Sequence, residues 1–566
     1  MMTYLKNYEE KIKLLGYHLR NKRLPRLSKE LFAIYEETGS RTEYEKVYFE
    51  RRKFLCIFAM LGILYKRKED MDKLEYIIEE ICAEETWALP AHVDRKGNLN
   101  WRHTLDLFSC ETAQALAEIT NLLKENLSDE IYFKAKEEVL KRVLLPFALT
   151  DKKDAPWWEH CEMNWCAVCN GSIGSAAIYY VKELPEVLEK IIERVSSSIW
   201  HYLDGFSDDG VCYEGIYYYS YGMLYYTGFA RQLYTYSGQK IDLINHEKVK
   251  KIALFQQKCY FPDASTLSFS DGSSHDSYRM GLTAYLAASY EKAGSLPPEC
   301  AGGFEADSCY RWMGVYRDYF WTKEFQAVLL EKAKKKIDYG IQYTFLSAQW
   351  SICHSKNRIG LACKGGNNDE PHNHNDIGCL QLMAGGEMLL ADLGAGEYVK
   401  NSFNKNRYQI FGNSSFSHCV PIINEKGQKE GKGHCCQCFQ TDGNGHTEIE
   451  FAKAYEQGEI KEIHRTIDFD LENGSLSICD LFERTDKTKS ITENLVVLYP
   501  PQINVNLAVF QTEKQIVSII IEEPLNLRID KRIHKNHEGL AVTIYCILWD
   551  VNKLGKVDIR IQDIKR

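Results

Sequence analysis

Proline is scarce, with 13 in 566 residues, too few for a linker-rich or collagen-like chain. Long apolar runs are missing too. The longest, Phe54 to Tyr65, lies between RRK and KRK and is shorter than the ~20 residues a membrane span needs. A buried helix is therefore expected there, and no membrane partner. There is no basic excess: 70 Lys and Arg face 79 Asp and Glu, a formal net charge of −9. That balance argues against a broad nucleic-acid or anionic-membrane footprint. The opening stretch MMTYLKNYEEKIKLLGYHLR has charges throughout and no apolar core, so it does not read as a secretory signal. With 19 cysteines spread along the chain, reduced thiols are expected rather than a disulfide framework, and the expected compartment is cytoplasmic. Secretion would require a leader already removed. No GxxxxGK[ST], post-strand GxGxxG, GxSxG or HExxH occurs, so the phosphate-loop, dinucleotide, α/β-hydrolase and zincin readings lose their usual support.

What is present is an ordinary globular composition, 45% hydrophobic and 26% charged, with enough chain for two to four domains at ~150 residues each. Two periodicities divide it. In ELPEVLEKIIERVSSSIWHYL, Val187, Leu188, Ile191, Ile192, Val195 and Ile199 form one helical stripe, with Pro185 near the start. Leu105, Phe108, Ala115, Leu116, Ile119 and Leu122 form another. After about residue 340 the period becomes two: Ile467, Phe469 and Leu471, an Asn473-Gly474 turn expected as type I′, then Leu476 and Ile478. Val557, Ile559 and Ile561 repeat the alternation. The expected fold is multidomain, α then β: helical hairpins over 1–338 and an antiparallel β-sandwich over 339–566.

Three segments carry candidate chemistry. In KGGNNDEPHNHND, His372 and His374 are two apart, so on a strand both would face one side. Asp392 follows 18 residues after His374, and His418 follows 44 after it. A His/Asp/His set suits zinc, or manganese less tightly; the bland alternative is a polar sheet edge. In CYEGIYYYSYGMLYY, Tyr218, Tyr221 and Tyr225 share a helical face. An aromatic core stripe is the ordinary reading, but Glu214, Gly215 and the hydroxyl content suit a wet cleft. In PWWEHCEMNWCAVCNGS, the tryptophans Trp157, Trp158 and Trp165 would stack on sugar rings, and the amides Asn164 and Asn170 would read hydroxyls. The Cys166/Cys169 pair and the group Cys435, Cys436 and Cys438 lack a properly spaced second pair and are weak metal candidates.

These segments, with LDLFSCETAQALA and NRYQIFGNSSFSHCVPIIN, resemble the heparinase II/III-like polysaccharide lyases, over roughly residues 90–460 and most specifically 364–424. The resemblance implies an incomplete α/α toroid followed by a β-sandwich, with the active cleft between them. It also implies β-elimination on acidic glycans containing 4-linked uronate, such as heparan, chondroitin, hyaluronan or alginate. By position, Asn164 would neutralise the uronate carboxylate, Tyr218 (or Tyr221, in the same motif) and His372 would be catalytic, and Tyr408 a base or substrate contact. Trp165, Asn170, Glu214, Tyr221 and Arg407 would bind substrate. His374, Asp392 and His418 would hold one divalent metal in a structural role, zinc first, with manganese or calcium behind it. The chain departs from the family pattern at Trp165 and Asn367, where relatives have His.

The chemistry needs such groups. Removing the carbon-5 proton puts a second negative charge beside a carboxylate, which a neutral amide can stabilise by ~3–4 kcal/mol. A base must take that proton and an acid must protonate the leaving oxygen. Tyr218 is expected as the acid. To act also as the base its phenol, ordinarily near 10, would have to be lowered by Arg407 or a charged His372. Two rivals remain: a toroid glycoside hydrolase using Glu214 with Asp271 or Asp276, and a non-catalytic glycan-binding protein.

Overall fold

The computed structural model describes residues 2–563 apart from 98–99, 333, 335–337, 400, 403 and 405. Helices come first along the chain, from Met2–Leu19 to Gln326–Lys332. The apolar run that starts at Phe54 lies inside the helix Thr42–Tyr65, and among the described residues no helix is long and apolar enough to cross a membrane. The stripe after Pro185 is the helix Pro185–Ser198, with Leu188, Ile191 and Val195 buried.

At the centre of the helical half, the helix Asn164–Tyr180 packs between Leu107–Leu122 and Ile216–Tyr236. Small residues allow this approach: a Cβ on Gly171 would sit 2.8 Å from the Tyr225 carbonyl oxygen. The helix Leu107–Leu122 starts from a reciprocal cap. Asp106 accepts the Ser109 N–H at 2.8 Å, and Ser109 Oγ accepts the Asp106 N–H at 2.9 Å, a device worth about 1 kcal/mol. Buried carboxylates among these helices are paired, as Glu118 is with Arg317 at 2.6 Å, since an unpaired buried charge would be costly.

The first strand, Ile341–Phe345, opens a five-stranded antiparallel meander with Trp350–His354, Ile359–Lys364, Leu380–Ala384 and Glu387–Leu390. An eight-stranded sheet and a four-stranded sheet follow. Val557 and Ile559 alternate inward on the strand Leu554–Asp563, which pairs with Leu476–Arg484 on one side and Gln515–Ile521 on the other. The fold is thus the expected helical region followed by antiparallel sheets. One local expectation is corrected. Strand Ile460–Phe469 ends at Phe469 and pairs it with Leu476, so residues 470–475 form a longer loop. Asn473 is not among the positive-φ residues that a type I′ turn requires. Instead Asp470 caps the loop, accepting the Glu472 and Asn473 N–H groups at 2.7 and 3.2 Å.

The two halves meet through a loop that the helical half inserts into the sandwich. Ser268 N–H donates to Gln381 Oε1 at 2.9 Å and Ser268 Oγ to the Asp392 carbonyl at 2.8 Å. Gln381 Nε2 returns a bond to the Thr266 carbonyl at 3.1 Å, and Ala395 N–H reaches the Gly272 carbonyl at 3.1 Å. Asp271 rides at the tip of this loop, 4% exposed.

Candidate active site

Gly215 starts the site. Its φ of +98° belongs to the region that favours glycine, and it ends the turn from which the helix Ile216–Tyr236 departs. Glu214, just before it, is turned back so that Oε1 accepts the Asn164 N–H at 2.8 Å, at the start of the helix Asn164–Tyr180. The helix N-terminus favours that carboxylate. Tyr218 falls in the first turn of its helix and is half-buried, whereas Tyr219, Tyr225 and Tyr226 are wholly buried. Most of the tyrosine run is therefore core, and the expected wet cleft reduces to its first turn.

The loop after Ile359–Lys364 brings the sandwich's contribution. The segment 369–379 is irregular, so His372 and His374 do not share a strand face as expected. They converge by a different route, on the two oxygens of one carboxylate. His372 Nδ1 lies 2.6 Å from Asp271 Oδ2, and His374 Nε2 lies 3.3 Å from Asp271 Oδ1. His372 adopts φ +60°, a strained conformation for a residue with a Cβ. Arg407 holds it there, donating to the His372 carbonyl at 3.0 Å, the Asn373 carbonyl at 3.2 Å, the Ser402 carbonyl at 2.9 Å and Asp271 Oδ1 at 3.1 Å. Gln428 braces the loop from behind, accepting Ile377 N–H at 2.8 Å and donating to its carbonyl at 2.7 Å.

The imidazole of His372 stacks on the Tyr218 ring, with centroids 4.2 Å apart. Its Nε2 faces Glu214 Oε2 at 3.4 Å. The Tyr218 hydroxyl is 2.8 Å from that of Tyr398, which donates to Asp271 Oδ2 at 3.0 Å. Tyr408 donates to Asn373 Oδ1 at 2.6 Å. Asn164 is buried, and neither side-chain atom has a hydrogen-bond partner among the described residues.

Electrostatics separate the two carboxylates. Burial alone would raise Asp271, but hydrogen bonds from His372 and His374 and the Arg407 charge outweigh it and hold the carboxyl well below its usual range. Glu214 goes the other way: burial pushes it up to about 7, against a smaller opposing pull from His372. Tyr218 is raised, first by burial and then by the Asp271 charge. The lowering that a tyrosine base needs is thus absent here, because Arg407 is committed to Asp271 and to carbonyls. The structure corrects the expectation for Arg407 in the same way: its donors serve the loop.

Other expected residues lie apart from this cluster. Tyr221 donates to Glu111 at 2.5 Å beneath Arg311, in a separate buried group, so Tyr218 is the motif tyrosine that meets His372. Asn170 is wholly buried and donates to the Cys166 carbonyl of its own helix at 2.9 Å, which corrects its expected role as a hydroxyl reader. Trp165, half-buried, packs against the exposed Trp157 with centroids 5.0 Å apart. All 19 cysteines are free thiols.

The expected metal ligands are also rearranged. Asp392 and His418 are together, with His418 Nδ1 3.4 Å from Asp392 Oδ2, and Asp376 and Cys379 join them in a buried group that could hold a metal ion. His374 is turned to Asp271 instead, with its ring 5.2 Å from that of His418 and its Nδ1 without a hydrogen-bond partner among the described residues.

Sequence reasoning used Asp271 only as a hydrolase carboxylate and passed over Tyr398, Asp376 and Cys379. Nothing local marks Tyr398 in GEYV. The DIGC spacing after the His pair could have drawn attention to the other two.

No family model matches the chain, and no curated protein matches it by sequence. Solved structures match its fold. Heparinase III superposes at a TM-score of 0.65 with 10% identity, over 99% of this chain and 91% of that one. A mutant heparan sulfate lyase from Pedobacter heparinus gives 0.60 with 12% identity, over 99% and 90%. The Streptomyces coelicolor chondroitin AC lyase, in complex with chondroitin sulphate, gives 0.57 with 10% identity, over 100% and 80%. At such identity these are likenesses of fold: a helical toroid followed by a β-sandwich, as in polysaccharide lyases.

Proposed function

We propose that the chain is a polysaccharide lyase that cleaves 4-linked uronate glycans by β-elimination. The observation that carries this reading is the stacked Tyr218–His372 pair, with the His372 imidazole oriented by Asp271, beside the unpartnered amide of Asn164. Buried polar groups are ordinarily satisfied, and a substrate carboxylate would satisfy this one. In the reaction the carbon-5 proton is removed and the carbon-4 to oxygen bond breaks. A carbon-4 to carbon-5 double bond forms, and a proton ends on the leaving oxygen.

The proton roles divide by environment. With Nδ1 on Asp271, the Nε2 side of His372, which faces Glu214, suits the base for the carbon-5 proton, and Glu214 gains or loses a proton near neutrality. Tyr218, kept protonated by burial and by Asp271, suits the acid that protonates the leaving oxygen. Asn164 suits the neutral donor to the growing enediolate. Trp157 and Trp165 offer aromatic faces to sugar rings near the Asn164 end. A metal held at Asp392 and His418 would be structural, bracing the loop that presents His372.

The hydrolase alternative loses ground here, because Glu214 and Asp271 both face one imidazole rather than a space for a scissile bond. Elimination creates a conjugated double bond that absorbs ultraviolet light; hydrolysis does not. Incubation with heparan, chondroitin, dermatan, hyaluronan and alginate, polymer and oligomer, should raise that absorbance for at least one. New reducing ends without absorbance on every substrate would establish hydrolysis, and no product at all would leave a binding protein.

A further inference from the structure

Four buried side chains converge on the sandwich side of the His372 loop. One ligand atom from each of Asp376, Cys379, Asp392 and His418 lies within 4.8 Å of the others. We propose that they bind one zinc ion per chain with Cys379 as a thiolate ligand, a sulfur-bearing set in place of the expected His374, Asp392 and His418. This stands whether or not the chain cleaves a polysaccharide.

The separations carry the argument. Cys379 Sγ is 3.7 Å from His418 Nδ1 and 3.8 Å from Asp392 Oδ2. His418 Nδ1 is 3.4 Å from Asp392 Oδ2 and 3.8 Å from Asp376 Oδ2. For the nitrogen and oxygen pairs these are long for hydrogen bonds. Yet a tetrahedral zinc with bonds of ~2.0–2.3 Å holds its ligands ~3.3–3.8 Å apart. The ligand atoms are aimed inward by their neighbours. His418 Nε2 lies 3.2 Å from the Gly412 carbonyl, which fixes the tautomer that leaves Nδ1 free to coordinate. Asp392 Oδ1 accepts the Gly394 N–H at 3.0 Å, leaving Oδ2 on the cluster. Asp376 is wholly buried, and its Oδ2 has no hydrogen-bond partner among the described residues.

The charge of the four ligands and Lys364 accommodates a thiolate beside the carboxylates. Lys364 already lies in the same interior, with Nζ 2.7 Å from Asp376 Oδ1. A divalent ion added to that ammonium exceeds the charge of Asp376 and Asp392 by one. A Cys379 thiolate restores neutrality, which a buried site demands, and a soft sulfur ligand selects zinc over calcium, magnesium or manganese.

Zinc-edge X-ray absorption on the purified chain, with metal content measured beside it, tests this without altering a residue. About one zinc per chain is expected, with one sulfur at ~2.3 Å among nitrogen and oxygen neighbours at ~2.0 Å. Cobalt substitution should give a sulfur-to-cobalt charge-transfer band, absent in Cys379→Ser. Substoichiometric metal, a shell without sulfur, or a band that survives in a folded Cys379→Ser would overturn the proposal. Should that variant fail to fold, the absorption shell of the unaltered chain still decides.

Discussion

The Tyr218 phenol has two candidate duties in an elimination, and its surroundings choose between them. Burial and the Asp271 carboxylate both favour the protonated form, so it is fitted to give a proton rather than take one. Tyr218→Phe should lower kcat on the responsive polymer by ~10²–10⁴-fold with an unchanged melting curve. Retention of more than a tenth of the activity would remove Tyr218 from the chemistry. Asn164→Ala should cost ~10²–10³-fold, again in kcat more than KM, because the amide is needed most where charge develops. Tyr218, His372 and Asn164 were legible in the sequence because each sits in a motif. Asp271 was legible only as a residue type. Its role depends on a carboxylate from one half of the molecule meeting two imidazoles and a guanidinium from the other, a contact between distant segments that no local pattern encodes. Arg407 illustrates the converse: a cation beside a motif tyrosine reads as a substrate contact until its carbonyl partners are seen.

Among the elements, the inserted loop before the helix Met280–Ser289 holds the site together. It has little regular structure and no period to read, so the sequence pointed to the helices and strands around it and missed the connection that aligns them. Gly394 marks where the sandwich receives it. Its φ is +60°, and a Cβ there would collide with the Gly272 carbonyl oxygen, which already accepts the Ala395 N–H. Gly394→Ala adds one methyl and removes no group that carries a proton. It should still destabilise the fold by ~1–3 kcal/mol and lower activity, because the loop that carries Asp271 must move. A variant with wild-type melting temperature and turnover would show that the junction is more compliant than this packing implies. The Asp470–Ser475 turn teaches a related lesson. Asn-Gly is a strong hairpin cue, but Asp470 accepts two loop N–H groups itself and so stabilises a longer connection.

Across the whole molecule, several carboxyls are buried among aromatics and short of full compensation. Burial raises Glu214 to about 7 and Glu111 and Asp318 to about 6, despite partial relief from His372, Arg311 and Arg279 respectively. In the unfolded chain such groups titrate near 4. Between roughly pH 4 and 7 the native state therefore binds more protons than the unfolded state, so stability falls as pH rises through that window. Asp271 and Asp307 are held low; their contribution is complete above pH ~4 and lost only on further acidification. His354 opposes the buried acids on the acid side. Burial lowers it to about 4, so its contribution is lost as pH drops from its unfolded value of ~6.5. Above that value the histidine no longer compensates, while Glu214 is still ionising, and the net charge of −9 adds self-repulsion. Three acids outweigh one histidine through the window, so the melting temperature should be highest at its acid end, near pH ~4, and several degrees lower at pH 8, at constant ionic strength. Glu214→Gln keeps an acceptor for the Asn164 N–H but cannot ionise, so its melting temperature should gain on the wild type between pH 5 and pH 8. Calorimetry at four pH values tests both statements; parallel curves for variant and wild type would mean that Glu214 ionises without cost and that its neighbours, His372 first, compensate it fully.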